Sequence, residues 1–123
     1  MKSSINSLVA LALTAFITTA SVEAAESVSV SDLHANRIAL GGKQVTITGT
    51  VIKVNNGIMR RNFIHLQDGT GSGDTDRVIF TSQQKVSVGD TVSGTGTVAL
   101  DTDFTMGYFY PTLVEKATFE PTK

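Results

Sequence analysis

The chain of 123 residues has no cysteine, no tryptophan and only two prolines. Without cysteine it can form no disulfide bonds, thiolate metal sites or thiol nucleophiles. Lysine and arginine number 10 against 11 aspartates and glutamates, so the net charge is −1. A near-neutral protein has no bulk attraction for polyanions. The charge balance therefore argues against binding nucleic acid or anionic lipid through total charge alone. The length of the chain allows one domain.

Long apolar runs are also scarce, and the one that exists lies near the start of the chain. It extends from Leu8 to Ala20, follows the basic Lys2, and precedes small residues at Val22 and Ala24. This order is typical of a secretory signal peptide with its cleavage site. The run is shorter than the roughly 20 residues that cross a bilayer. We predict a cleavable signal peptide over residues 1–24, a soluble periplasmic protein after cleavage and no membrane insertion; an uncleaved anchor helix is the alternative.

The remaining chain contains short apolar-alternating segments separated by glycine-rich turns. Ser31 is expected to cap a short helix in an N-terminal extension over residues 25–43. Alternation then predicts five strands, over residues 44–54 with a bend at Gly49, 62–68, 77–81, 91–100 and 108–119. An Asn55-Asn56-Gly57 turn is expected after the first. This all-β pattern favours a five-stranded Greek-key OB barrel over residues 44–120, with a tail at 121–123. An SH3-like barrel is the competing fold.

Several segments carry a family resemblance. The blocks 42–54, 58–71, 88–98 and 107–117 resemble exported bacterial OB-fold proteins described as nucleic acid-binding or DNA-binding. The segment Phe63-Ile-His-Leu-Gln-Asp-Gly-Thr-Gly71 is also similar to the second strand of the anticodon-binding OB domains of class II tRNA synthetases. The resemblance implies a nucleic-acid-binding OB domain in which the aromatic at the Phe63 position stacks on a base.

Candidate ligand-binding residues follow from the expected barrel. OB barrels bind ligands on the face of their second and third strands and on the adjoining loops. The side chains predicted there are Lys53, Met59, Arg60, Arg61, Phe63, His65, Gln67, Phe104, Tyr108 and Tyr110. Aromatic rings beside cations suit single-stranded nucleic acid, because bases stack and phosphates carry charge. Residues 25–66 carry net positive charge and residues 67–123 net negative charge, which allows a basic patch at the first loop.

Other interpretations of these residues remain open. Arg60 and Arg61 can equally be solvated loop charges, while Asp101 and Asp103 would oppose a polyanion. The same face could instead bind a periplasmic protein, for which the chain would be an accessory subunit, or a glycan. Met59, His65 and Met106 form a soft ligand set that suits a Cu(I) carrier.

Motifs that would indicate catalysis or a resident ion are missing. The sequence has no HExxH, GxSxG or phosphate-binding loop motif. The loop after Asp68 has Ile79 where a calcium-binding EF-hand needs a glutamate, so a plain turn is expected there. We therefore expect no enzyme activity and no cofactor. The expected partners are single-stranded nucleic acid, another oligoanion or a periplasmic protein.

Overall fold

The computed structural model describes residues 24–122, so the predicted signal peptide lies outside the described residues except for Ala24. The elements are β1 (Glu26–Ser27), α1 (Val30–Ala35), α2 (Arg37–Leu40), β2 (Gln44–Ile58), β3 (Arg61–Gln67), a 3-10 turn (Gly73–Thr75), β4 (Val78–Ser82), β5 (Thr91–Asp103) and β6 (Phe109–Pro121). Neither α1 nor α2 has the length and apolar content needed to cross a membrane.

Five strands close into a ring that is nearly a barrel. β2 pairs antiparallel with β3, and β3 pairs antiparallel with β4. β4 then pairs in parallel with β6, through Phe80 and Val114. β6 pairs antiparallel with β5, and β5 returns to the first half of β2. The mostly-β architecture predicted from the alternation is confirmed, with β1 and the two short helices added in front of it.

The barrel interior contains an aromatic pair. Phe80 and Phe119 lie with their ring centroids 5.2 Å apart and both are buried. Gly94 on β5 faces them, and a Cβ there would lie 2.7 Å from Cε1 of Phe119 and 2.9 Å from Cε2 of Phe80. Such distances are shorter than van der Waals contact, so the pair needs a residue without a side chain at this position.

The predicted bend at Gly49 has a specific structural cause. A Cβ at Gly49 would collide with the carbonyl group of Gln67 on the neighbouring strand. The shift in strand register lies further along β2, between Val51 and Lys53. Gly49 therefore permits the close approach of β3, and the bulge follows it.

The N-terminal helices belong to the same core. Val30 and Leu33 of α1 are fully buried within the main apolar cluster. The residue that caps α1 is Ser29, whose Oγ accepts a hydrogen bond from the amide of Asp32 at 2.9 Å. The prediction of Ser31 as the cap is therefore wrong, because Ser31 lies inside the helix and its amide donates to Oγ1 of Thr70.

Asp68 connects this helix to the loop after β3. Its Oδ2 accepts from the amide of Val30 at 2.9 Å, and its Oδ1 accepts from the amide of Thr70 at 3.0 Å. Burial raises the pKa of Asp68, but the hydrogen bonds from Thr70 and Val30 outweigh it, so the pKa lies below its usual value. The carboxylate organises the turn that was expected after Asp68.

The first hairpin differs from its predicted position. β2 continues through Asn55, Asn56 and Gly57 to Ile58, so the turn expected at these residues is wrong. The chain reverses at Met59 and Arg60, which have φ angles of 52° and 65°. The side-chain Oδ1 of Asn62 accepts from the amide of Gly57 at 3.0 Å, which holds the hairpin end in this arrangement. β5 and β6 also extend beyond their predicted ends, to Asp103 and Pro121.

Candidate ligand-binding face

The candidate site is built on β3, whose side chains alternate between two environments. Ile64 and Leu66 are fully buried in the barrel core. Phe63, His65 and Gln67 occupy the alternate positions on the outer face of the strand. The predicted phase of this strand is therefore the observed one.

Phe63 is the centre of an aromatic cluster outside the barrel. Its ring centroid lies 5.6 Å from Phe104, 6.0 Å from Tyr108 and 5.6 Å from Tyr110. We call these four residues the outer aromatic cluster. Phe63 is only 1% exposed because the other three rings cover it. Its predicted use as a stacking surface needs correction, since a ligand would meet the three covering rings, which are half-buried.

The covering rings are carried by the β5–β6 loop and by the start of β6. Thr105 and Met106 have φ angles of 75° and 55°, a left-handed conformation that makes the loop turn tightly. The amide of Phe104 donates to the carbonyl of Tyr108 at 2.8 Å, and the amide of Thr105 donates to Oδ1 of Asp103 at 2.8 Å. These bonds hold the loop over β3 and leave Met106 at its tip, 85% exposed.

Tyr110 connects the cluster with β6. Its ring stacks on Phe63 with an interplanar angle of 26°. Burial, together with the nearby Tyr108, raises the pKa of Tyr110 above its usual value. Its hydroxyl therefore stays protonated at neutral pH and can both donate and accept a hydrogen bond.

Cations border the outer aromatic cluster on one side. The guanidinium carbon of Arg61 lies 4.7 Å from the ring centroid of Phe104, a cation–π contact. Lys53 is exposed on β2 and pairs with His65 across the strands, and Arg60 is exposed at the hairpin end. Arg61 is thus more than a solvated loop charge, whereas Arg60 and Lys53 extend into solvent. Lys53, Arg60, Arg61 and the outer aromatic cluster together form what we call the outer face.

His65 is held neutral by its surroundings. Burial, with Lys53 and Arg77 adding positive charge nearby, lowers the pKa of His65 to about 4. Its Nδ1 is buried and has no hydrogen-bond partner within residues 24–122. A neutral imidazole with a free lone pair is the form that ligates metals, so this atom is the strongest feature of the predicted copper set.

The rest of the copper set is less organised. Met59 is half-buried in the β2–β3 turn, while Met106 lies at the exposed loop tip. Within the described part of the chain, no group of three or more His, Cys, Asp or Glu residues could hold a metal ion. Thioether ligation by Met59 and Met106 stays a prediction.

Gln67 extends the outer side of β3 towards a region that the sequence did not indicate. Its Nε2 donates to Oδ2 of Asp76 at 2.8 Å, and Nε of Arg77 donates to Oδ1 of the same carboxylate at 3.0 Å. The hydrogen bond from Arg77 lowers the pKa of Asp76, and the hydrogen bond from Gln67 lowers it further. Partial desolvation acts in the opposite direction, but the pKa stays below its usual value. Gln67 is therefore engaged within the protein.

Beside this network lies a cleft of about 680 Å³. Side chains from α1, α2, the 3-10 turn, β4 and the start of β6 form it, among them His34, Arg37, Asp74, Arg77, Ile79 and Tyr110. Only Tyr110 was predicted as a site residue. The other five come from segments far apart in the sequence and belong to no motif, so the sequence offered no signal that would group them.

Comparisons with known proteins give the fold but no family. No family model matches the chain, and no curated protein matches its sequence. A solved structure from Leishmania major Friedlin, assigned as an aspartyl-tRNA synthetase, is 17% identical with a TM-score of 0.54. The match covers 87% of this chain and 23% of that one, so the chain spans less than a quarter of the synthetase.

A second similar structure is an OBody, AM1L10, bound to hen egg-white lysozyme. It is 16% identical, with a TM-score of 0.52, and the match covers 83% of this chain and 100% of the OBody. At such identities the likeness concerns the fold alone. It confirms the preference for an OB-like fold over an SH3-like barrel, while membership of the exported OB-fold family stays a prediction. The described part of the chain is thus an OB-fold-like domain.

Proposed function

We propose that this chain is an exported, non-enzymatic OB-fold binding protein whose outer face binds single-stranded nucleic acid or a similar oligoanion. The observation that carries the proposal is the convergence of Phe104, Tyr108 and Tyr110 with the guanidinium of Arg61 on the outer side of β3. OB barrels use this face and the adjoining loops for ligands. Stacking rings beside a row of cations are what single-stranded nucleic acid requires.

The two carboxylates at the end of β5 oppose such a ligand less than their number suggests. Asp101 accepts from Nη2 of Arg37 at 3.2 Å. Asp103 accepts from the amide of Thr105 in the loop that follows β5. Because each of these carboxylates already accepts a hydrogen bond within the protein, part of its negative charge is compensated before a ligand binds. Lys53 and Arg60 are exposed and make neither of the two ion pairs found within residues 24–122.

Export is part of the proposal and rests on the composition of residues 1–24. Cleavage after Ala24 would release a protein that begins just before β1. Sequencing the N-terminus of the protein recovered from the periplasm tests this directly. Recovery of an intact Met1 from the membrane fraction would contradict it.

The nucleic-acid proposal is tested by fluorescence anisotropy with a labelled oligo-dT strand of about 12 nucleotides. Binding should weaken steeply between about 50 and 200 mM salt. Replacing Lys53 and Arg61 by glutamine should weaken binding. The slope of the logarithm of the binding constant against the logarithm of the salt concentration should become shallower by about one for each phosphate that is no longer bound. Tyr108→Leu should weaken binding by roughly tenfold, because stacking contributes about 1–3 kcal/mol per base.

The matched control is Lys85→Gln, which removes the same charge from the β4–β5 loop, away from the outer face. It should leave affinity and salt dependence unchanged. An equal loss in this control would mean that total charge, rather than the outer face, drives binding. Absence of binding at the lowest salt would remove the proposal.

A protein partner is a second candidate, favoured by two exposed apolar side chains, one on the β5–β6 loop and one at the start of β6. Met106 is 85% and Phe109 is 53% exposed. The OBody of similar fold is bound to lysozyme, so an OB-like scaffold of this size can recognise a protein. A contiguous exposed apolar patch is typical of a contact site between proteins.

The test is affinity purification from periplasmic extract with the wild-type chain and the double variant Met106→Ser, Phe109→Ser in parallel. A partner that uses the loop tip is retained by the first and lost by the second. A protein retained equally by both does not use this surface. If neither chain retains any protein, this candidate is rejected.

A further inference from the structure

The cleft beside α1 is separate from the outer face and has a different chemistry. It lies between α1, the 3-10 turn at Gly73–Thr75 and the first residues of β6. Its volume of about 680 Å³ falls within the range of cavities that hold small molecules. Of the residues of the outer face, only Tyr110 also lines the cleft.

The walls of the cleft combine an apolar surface with polar groups at defined positions. Ile79, Tyr110 and Pro111 supply apolar surface. Arg37 is held in place by three hydrogen bonds, from Nε to Oγ1 of Thr112 at 2.8 Å and from Nη2 to Pro111 O at 2.7 Å and to Asp101 at 3.2 Å. A side chain fixed in this way loses little conformational entropy when a ligand binds to its remaining N–H groups.

Both hydrogen-bond donors and hydrogen-bond acceptors lie on these walls. The described hydrogen bonds of Arg77 use only its Nε, which leaves its terminal N–H groups as donors. His34 donates through Nε2 to the carbonyl of Arg77 at 2.8 Å, which orients its imidazole ring at the cleft. Asp74 is exposed on the 3-10 turn and supplies two acceptor oxygens. The hydroxyl of Tyr110 can serve as either.

The charges of the cleft are compensated within the protein. Arg77 is paired with Asp76, and Arg37 is paired with Asp101. Asp74 adds a further negative charge at the rim. An oligoanion would therefore meet arginines that already have carboxylate partners, together with an opposing carboxylate. A neutral ligand with closely spaced groups that both donate and accept would satisfy this wall without a charge mismatch.

We propose that the cleft is a binding site for a neutral carbohydrate of one or two rings. Each sugar hydroxyl both donates and accepts, which suits a wall that carries the donors of Arg77 and the acceptors of Asp74. The C–H face of a sugar ring is apolar and fits against Ile79 and Tyr110. Apart from Tyr110, which lines both surfaces, the carbohydrate site uses side chains that the oligoanion proposal does not use, and it requires no net positive charge.

The experiment is NMR titration of the 15N-labelled mature chain with glucose, maltose, cellobiose and N,N′-diacetylchitobiose, each up to about 10 mM, which would nearly saturate a site with a Kd of about 1 mM. At least one sugar should produce saturable shifts at the amides of 34–37, 73–77 and 110–112. Asp74→Ala should weaken that binding about tenfold, and Arg77→Gln should do so by the same order. The amide spectrum of each variant also reports whether it remains folded.

Lys53→Gln is the matched control, because Lys53 lies on the outer face and should not affect the sugar. Oligo-dT binding should be unchanged in Asp74→Ala. Failure of the carbohydrate proposal can therefore be distinguished from failure of the nucleic-acid proposal. No saturable shift with any of the four sugars would overturn the carbohydrate proposal. The proposal would also be overturned if the shifts were confined to the β5–β6 loop or if both cleft variants bound the sugar with unchanged affinity. Tighter binding of inorganic phosphate than of any sugar would overturn it as well.

Discussion

Two groups of buried aromatic rings lie on opposite sides of the same sheet. Phe80 and Phe119 meet inside the barrel at 5.2 Å, in an edge-on arrangement. Phe63 meets Tyr110 outside it at 5.6 Å, nearly stacked. Phe80 and Phe63 are equally buried, at 0% and 1% exposure. The inner pair belongs to the main apolar cluster inside the barrel, whereas Phe63 is covered by a loop and by the first residues of one strand.

This difference shows that burial of an aromatic ring does not by itself assign it to the core. Phe80 belongs to the main apolar cluster, and Phe63 does not. Rings that cover Phe63 can rearrange when the β5–β6 loop moves, because that loop is held by a few local hydrogen bonds. The inner pair should therefore determine stability, and the outer aromatic cluster should determine what the surface binds.

The largest expected effect separates the two groups by mutation. Phe80→Ala should lower the free energy of unfolding by about 3–5 kcal/mol, because the strands around it cannot collapse into the cavity. Phe63→Ala should cost less, about 1–3 kcal/mol, because the loop rings can move into the vacated space. Urea denaturation of both variants measures this. Equal losses would show that the outer rings are as rigidly held as the core.

A second prediction concerns the space beside the inner pair. Gly94→Ala should destabilise the protein by about 1–3 kcal/mol, because the added Cβ meets Phe80 and Phe119. Thermal unfolding measures the loss, and Phe119→Leu in the same chain should restore part of it. Oligonucleotide binding by the folded Gly94→Ala protein should be unchanged. If Phe119→Leu lowers the stability of the Gly94→Ala protein further, the contact between the added Cβ and the aromatic rings does not cause the loss.

The smallest expected effect is a pH dependence that belongs to the outer side of β3. The pKa of His65 is lowered to about 4 in the folded protein. As the pH falls below 6.5, His65 is therefore protonated in the unfolded chain before it is protonated in the folded protein. Stability should therefore fall between about pH 6.5 and 4 and change no further through this group at lower pH. For a half-buried ring the loss is on the order of 1 kcal/mol.

His65→Gln should remove this part of the pH profile, measured by urea denaturation at a series of pH values. Lys53→Gln should weaken it, because Lys53 contributes to the lowered pKa. An unchanged profile in His65→Gln would mean that another group carries the pH dependence.

The sequence predicted the strand pattern well because period-two alternation reflects a local requirement. Ile64 and Leu66 must face the core, so Phe63 and His65 must face outward. Helix and turn boundaries were predicted less well. Ser29 and Ser31 are both chemically suitable caps, and an Asn-Asn-Gly segment is an equally plausible turn. The choice at each depended on a hydrogen bond to another part of the chain, to Thr70 for the helix and to the side chain of Asn62 across the hairpin.

The amino-acid sequence by itself determined the OB-like class of the fold and the outward phase of β3. These follow from alternation, glycine positions and strand order along the chain. Only the tertiary structure decided that Phe63 is covered, that Arg61 lies against Phe104, and that a second cleft exists. Each of these depends on segments far apart in the sequence meeting across the barrel, and no local pattern encodes such a meeting.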